Sequence, residues 1–343
     1  MVFVYGYYVV RYGGWVARFV MPNIGAMPVY HTKVDSKGMA RIYKAIADGP
    51  YPLAIAPEGQ VSYTADTVPR LEPGVVRIGF HVASQLEEKN PDVPVEILPL
   101  SVHCRFGSWG KATVELLLKR IERLSGFNRR EVKKLSFTDR LLKCREYILE
   151  AAEERYNIRI DTSLSFEKRL ENVRTAALET AERMLNLKGE GDFFIRQHIV
   201  RQSCWDRIFL PDVYDMKNMP QVQRSTLDLG AGEAWYISRH QELADLCWYF
   251  PKQIPTDDTT LHNKIEYVQN LHDLASRAMG GAFANRVSIF PRKVIIHTAP
   301  SINLTARLPL YKKDKKTVIA KTLTDLENAF LDNINEMSRT EQG

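Results

Sequence analysis

Leu53-Ala54-Ile55-Ala56-Pro57-Glu58-Gly59-Gln60-Val61-Ser62 is an apolar run that breaks into proline, an acid, glycine and small polar residues. Leu53 to Ala56 are all apolar, as in a strand covered on both faces, and Pro57 cannot donate to a continuing ladder, so pairing is expected to stop there. Glu58 is thereby delivered to the sheet edge. In an α/β sheet ligands bind in the crevice outside the carboxyl ends of the strands, and Gly59 lets a ligand or another backbone approach closely. The plainer alternative is a Glu58 that only caps its own loop.

Working outward, Met27–Tyr30 reads as a strand and Lys37–Asp48 as a helix with Met39, Ile42, Tyr43 and Ile46 on one side. Tyr51–Ala56 reads as the central strand and Gly74–Leu86 as the following helix. Alternating strands and helices predict an α/β fold, a mostly parallel sheet covered by helices. Glu96–His103 and Thr113–Leu118 read as strands that close it, joined by a turn at Gly107-Ser108-Trp109-Gly110. This α/β domain is assigned to residues 1–125, and residues 126–343 to a mainly helical region with a strand near 292–297.

In that second region Ser136-Phe137-Thr138-Asp139 opens a helix much as a capping box does. Phe166, Leu170, Val173, Ala177, Ala181 and Met184 recur at helical steps. A third helix over Thr259–Met279 stops at Gly280-Gly281, as a C-cap requires. Lys312-Lys313-Asp314-Lys315-Lys316 reads as a basic loop, solvated or facing phosphates, before a last helix at Thr317–Met337.

Three blocks resemble the glycerolipid acyltransferases, the lysophosphatidic acid and glycerol-phosphate acyltransferase family. Pro57-Glu58-Gly59 and Ser62, followed by Pro73-Gly74 and an apolar helix, look like the family's P-E-G-T-R-S block. Upstream, Gly25-Ala26-Met27-Pro28-Val29-Tyr30-His31 resembles its G-x-I-P-V-x-R strand. Downstream, Val95 to Val102 resembles its V-P-V-x-I strand. The likeness covers about residues 15 to 105.

The resemblance implies transfer of a fatty acyl group from an acyl-CoA or acyl carrier protein to a hydroxyl of a lysophospholipid or glycerol phosphate, with no other cofactor and no metal. Glu58, Gly59, Gln60, Ser62 and Gly74 are the substrate-binding residues it implies. It also implies a non-catalytic alternative that binds lipid or acyl-CoA, or serves as a scaffold, because the motifs are incomplete. Gln60-Val61 replace the family's Thr-Arg, and the 24 residues before Gly25 hold neither His nor Asp. The family's His-x4-Asp base is thus absent from the chain or upstream of Met1, and the chain alone is expected to transfer acyl groups weakly or not at all.

His31, beside a matching block, is the nearest substitute base, although His31 to Asp35 is one residue short of the family spacing. His240 and Asp245 have that spacing, but five helical residues turn the side chain through about 500°, so the two face apart.

Lys and Arg number 47 against 41 Asp and Glu, a formal charge of +6. That excess suits an acidic partner such as acyl-CoA or an anionic membrane surface. The chain has no aromatic-interleaved basic block and no zinc-finger spacing, which argues against nucleic acid. Cys104, Cys144, Cys204 and Cys247 are 40, 60 and 43 residues apart, so no C-x-x-C pair exists; reduced thiols in the cytoplasm are expected. Residues 1–24 mix Tyr, Trp and Phe with Arg11 and Arg18 and contain no 18-residue apolar window. They read as a core helix or as a segment at the headgroup level of a membrane, with peripheral association from the cytoplasmic side.

Overall fold

The structure is a computed structural model and describes residues 2–6, 14–29, 36–59, 63–107, 109–210, 218–281, 287 and 292–342. Helices hold 64% of it, so the mostly parallel sheet covered by helices is not the architecture. Parallel pairing is confined to three short strands. The expectation failed because most apolar positions repeat at three and four residues, a period that favours helix over strand.

The chain divides into two compact units, residues 1–104 with 294–343, and residues 105–293. Unit 1 begins with β1 (Val2–Gly6), α1 (Gly14–Asn23), β2 (Ala26–Val29), α2 (Ser36–Ala47) and β3 (Leu53–Ala54). The strands lie in the order β2-β1-β3, with Phe3 opposite Ala26 and Ala54 in parallel register. The run at Leu53 therefore forms an edge strand, half-buried and not covered on both faces, and β1 is the central one.

Next come α3 (Gly74–Lys89), β4 (Glu96–Ile97) and β5 (Leu100–Phe106). Leu98 and Pro99 separate the last two, because proline has no N–H to offer a ladder. After unit 2, β6 (Arg292–Thr298) pairs with β5, and β7 (Ile302–Asn303) pairs antiparallel with β4. Two helices follow, α11 (Leu304–Lys313) and α12 (Lys315–Gln342).

The core of unit 1 joins both ends of the chain. Val76, Phe80, Val82, Ala83 and Leu86 of α3 pack with Val95, Ile302, Leu304, Leu308 and Leu326. Phe80 stacks on Tyr311 at 4.2 Å between ring centres. Leu304 N donates to Val95 O at 2.9 Å, so the late segment is hydrogen-bonded into the early one. The expected basic loop at Lys312–Lys316 is instead a helix junction. Lys312 and Lys313 end α11, where cations suit the carbonyl end of the dipole, and Asp314 caps α12 by accepting from Thr317 N at 3.1 Å.

Unit 2 is helical among its described residues outside the strand ends: α4 (Trp109–Leu124), α5 (Arg129–Val132), α6 (Phe137–Arg155), α7 (Phe166–Leu185), α8 (Phe193–Ile208), α9 (Gln221–Tyr249) and α10 (Leu261–Ala278). The strand expected at Thr113–Leu118 lies inside α4, whose buried Val114, Leu117, Leu118 and Ile121 follow a helical period. The expected turn glycine, Gly110, sits in α4 where a Cβ would fall 2.6 Å from Ile265 Cδ1 of α10. It is a close-packing glycine.

Side-chain caps begin α6, α7, α8 and α10, whereas α9 starts after Pro220 without one. Ser136, Ser165, Asp192 and Thr260 each accept from the backbone N–H three residues on. Ser136 also donates to Asp139 Oδ2 at 2.7 Å. The stop after α10 is as read: Gly280 has φ +86° and Gly281 N donates to Ser276 O at 2.7 Å. Arg155 donates to Arg277 O and Ala278 O, and Arg239 to Gly280 O, so two arginines cover carbonyls at this helix end.

Candidate functional site

The Pro57-Glu58-Gly59 segment forms a turn two residues after β3. Gly59 has φ +67°, a conformation that any L side chain would strain, and the Glu72 Cγ lies 3.0 Å from where a Cβ would stand. Glu72 N donates to Pro57 O at 2.7 Å. The described residues 57–59 and 63–72 are therefore the two arms of a loop closed at its neck. That closure brings the turn beside the start of α3, two residues further on.

The N-terminus of α3 is open. Pro73 at its N-cap gives no side-chain hydrogen bond, and nothing stands within 4 Å of a Cβ built on Gly74. The first N–H groups of the helix thus have no side-chain cap, with the positive end of the dipole behind them and Arg77 exposed in the same turn. This arrangement suits an anion of phosphate size. Arg77 supplies a cation in the first turn of α3.

The same loop carries Asp66, whose Oδ1 lies 3.1 Å from His103 Nδ1 on β5. A carboxylate only accepts, so the proton is on Nδ1. His103 is 1% exposed, and its Nε2 has no hydrogen-bond partner among the described residues. The His297 ring packs edge-on at 5.9 Å, and Asn333 of α12 donates to Ser101 Oγ at 2.9 Å on the same strand as His103. A hydroxyl in solvent cannot reach so buried a ring. The pair pins the Asp66 arm of the loop to β5.

Of the residues expected from the sequence, Glu58, Gly59 and Gly74 are brought together by the loop neck. Gln60, Ser62 and His31 lie outside the described residues. The Asp66–His103 pair carries no signal in the sequence, because its members are 37 positions apart and share no spacing motif.

Unit 2 holds three buried histidines, His240, His262 and His272. His240 Nδ1 lies 2.7 Å from Tyr156 Oη, and Asp245 instead meets Arg201 at 3.6 Å. Burial, and then the nearby Arg155 charge, push the His240 pKa down from 6.5 to about 4, so the imidazole is neutral at pH 7. The unfolded chain therefore takes up a proton first as pH falls. Stability due to neutral His240 is present above about pH 6.5 and lost between about 6.5 and 4. Over that window the urea midpoint of the wild type is expected to fall more steeply than that of His240→Gln; equal slopes would contradict it.

None of the four cysteines is in a disulfide. Burial pushes Cys144, Cys204 and Cys247 up to about 12, which makes them poor nucleophiles. Among the described residues no group of three or more His, Cys, Asp or Glu could hold a metal ion, and no helix is long and apolar enough to cross a membrane. No family model, curated protein or solved structure matches this chain.

Proposed function

We propose that unit 1 carries an acyltransferase-type site, which passes a fatty acyl group from an acyl-CoA or acyl carrier protein thioester to a hydroxyl of a lysophospholipid or glycerol phosphate. The observation behind this reading is the closed loop neck, which sets Glu58 and Gly59 beside the uncapped start of α3. The acceptor phosphate sits on the N–H groups from Gly74 onward, with Arg77 as its cation. Glu58 takes a hydrogen bond from the acceptor's glycerol hydroxyl. In the transfer the hydroxyl oxygen attacks the thioester carbonyl, its proton passes to a base, and the thiolate leaves and is protonated. Such a protein works at a lipid surface, attached peripherally from the cytoplasmic side.

A second reading, a non-catalytic relative binding the same ligands, is favoured by the placement of the histidines. His103 is buried against Asp66, and His81 lies seven residues into α3, a rise of about 10 Å beyond Gly74. Neither stands at the turn as a free base.

The test is acyl transfer from labelled acyl-CoA to a panel of lysolipids and glycerol phosphate, beside direct titration of the same ligands. Glu58→Ala is expected to weaken transfer or binding by roughly tenfold to a hundredfold, the worth of a hydrogen bond in a charged site. Binding lost without any transfer in the wild type selects the second reading. Transfer that is unchanged in Glu58→Ala removes the site.

A further inference from the structure

We infer that α1 is a lipid-docking helix, which lies in the interface of an anionic bilayer with its apolar side chains turned into it. Exposed large apolar side chains crowd this one short element. Trp15 is 80% and Phe19 69% exposed, and Val16, Val20 and Ile24, just beyond its end, are exposed as well. Among the described side chains of α1, Ala17 and Met21, one turn apart, are half-buried and form the inward stripe. A folded protein in water gains nothing by presenting a tryptophan and a phenylalanine one turn apart on the same helix.

The charge pattern selects the occupant. Arg18 is the helix's one charged residue, and it is exposed. Residues 1–34 contain Arg11, Arg18 and Lys33 and no aspartate or glutamate. A surface that is apolar, aromatic and free of acids complements a bilayer of negative headgroups, where Trp and Phe sit at the acyl boundary and Arg meets phosphate. Ten residues of helix rise about 15 Å, half of a bilayer core of about 30 Å, so α1 lies in the plane and does not span.

This deepens the proposed function by naming the surface on which its site works, yet it stands or falls separately. The whole chain is floated with vesicles of phosphatidylcholine alone and of phosphatidylcholine mixed with phosphatidylglycerol. Binding to the mixed vesicles is expected, falling at least tenfold in Trp15→Ser/Phe19→Ser and about fivefold in Arg18→Gln, the latter on anionic vesicles only. Val222→Ser, which removes an equally exposed apolar side chain in unit 2, is expected to bind as the wild type does. Circular dichroism checks that each variant is folded.

Failure of the wild type to bind either vesicle, or equal binding by the Trp15/Phe19 variant, overturns the inference. So does a dimer in solution that this variant abolishes, since the helix would then serve a second copy of the chain. Vesicle binding without acyl transfer leaves the inference intact and counts against the enzyme. Transfer to soluble glycerol phosphate without vesicle binding does the reverse.

Discussion

Arg169→Met is expected to lower the unfolding free energy of unit 2 by about 3–5 kcal/mol, the cost of leaving a buried carboxylate without its cation. Arg169 is 3% and Glu153 1% exposed, and they meet through two parallel hydrogen bonds of 2.9 and 2.7 Å. The more exposed Glu146 completes the group. The hydrogen bonds to Glu153 raise the pKa of Arg169 further, so the guanidinium does not shed its charge to relieve the site. The melting temperature is expected to fall by about 10 °C. Replacing both partners, as in Arg169→Met with Glu153→Leu, removes the unpaired charge and is expected to recover most of the loss. Urea titration of the single and double variants decides it. A double variant as unstable as the single one would show that the pair does more than neutralise itself.

Gly79→Val is expected to destabilise unit 1 by about 1–3 kcal/mol, through overpacking and not through any lost contact. A Cβ at Gly79 would stand 2.3 Å from Leu304 Cδ1, where α3 meets α11. Leu304 is fully buried and has little room to retreat. Leu304→Ala alone leaves a cavity and costs about 2–5 kcal/mol. The double variant should cost less than the sum, by a coupling of about 0.5–3 kcal/mol, because each change relieves the other. Additive costs would mean that the two helices are not held apart at this point.

These two sites also mark what the sequence discloses. Helix starts written in single residues were legible: Ser136 with Asp139 three residues later is a local signal, and so is the stop at Gly280. The strand at Leu53 was legible only in part: it spans two residues and stops at Ala54, short of the break that Pro57 marks. Thr113–Leu118 misled because six residues of mixed apolar character fit either period, and the glycines before them resembled a turn. Gly110 is there for Ile265, more than 150 positions away, and no local reading reveals that. Asp66 and His103 escaped for the same reason. Sheet architecture was the least legible feature, since pairing partners are chosen across the fold and three short strands carry little pattern of their own.

Unit 2 is inserted into unit 1, and the chain passes from one to the other within β5 and back within β6. Proteins are made from one end, so this insertion imposes a schedule on synthesis. The apolar face of α3 is complete early, but Leu304, Leu308 and Leu326, which cover it, leave the ribosome roughly 200 residues after Cys104. At about 5–20 residues per second that is a wait of roughly 10–40 s. The helices of unit 2 can form and pack during this interval, while Val76, Phe80 and Leu86 stay uncovered. A nascent chain that stalls before Leu304 therefore carries a finished second unit and an open first one. Of these two units it is then the one begun earlier, and not the one finished later in sequence, that needs a chaperone's protection.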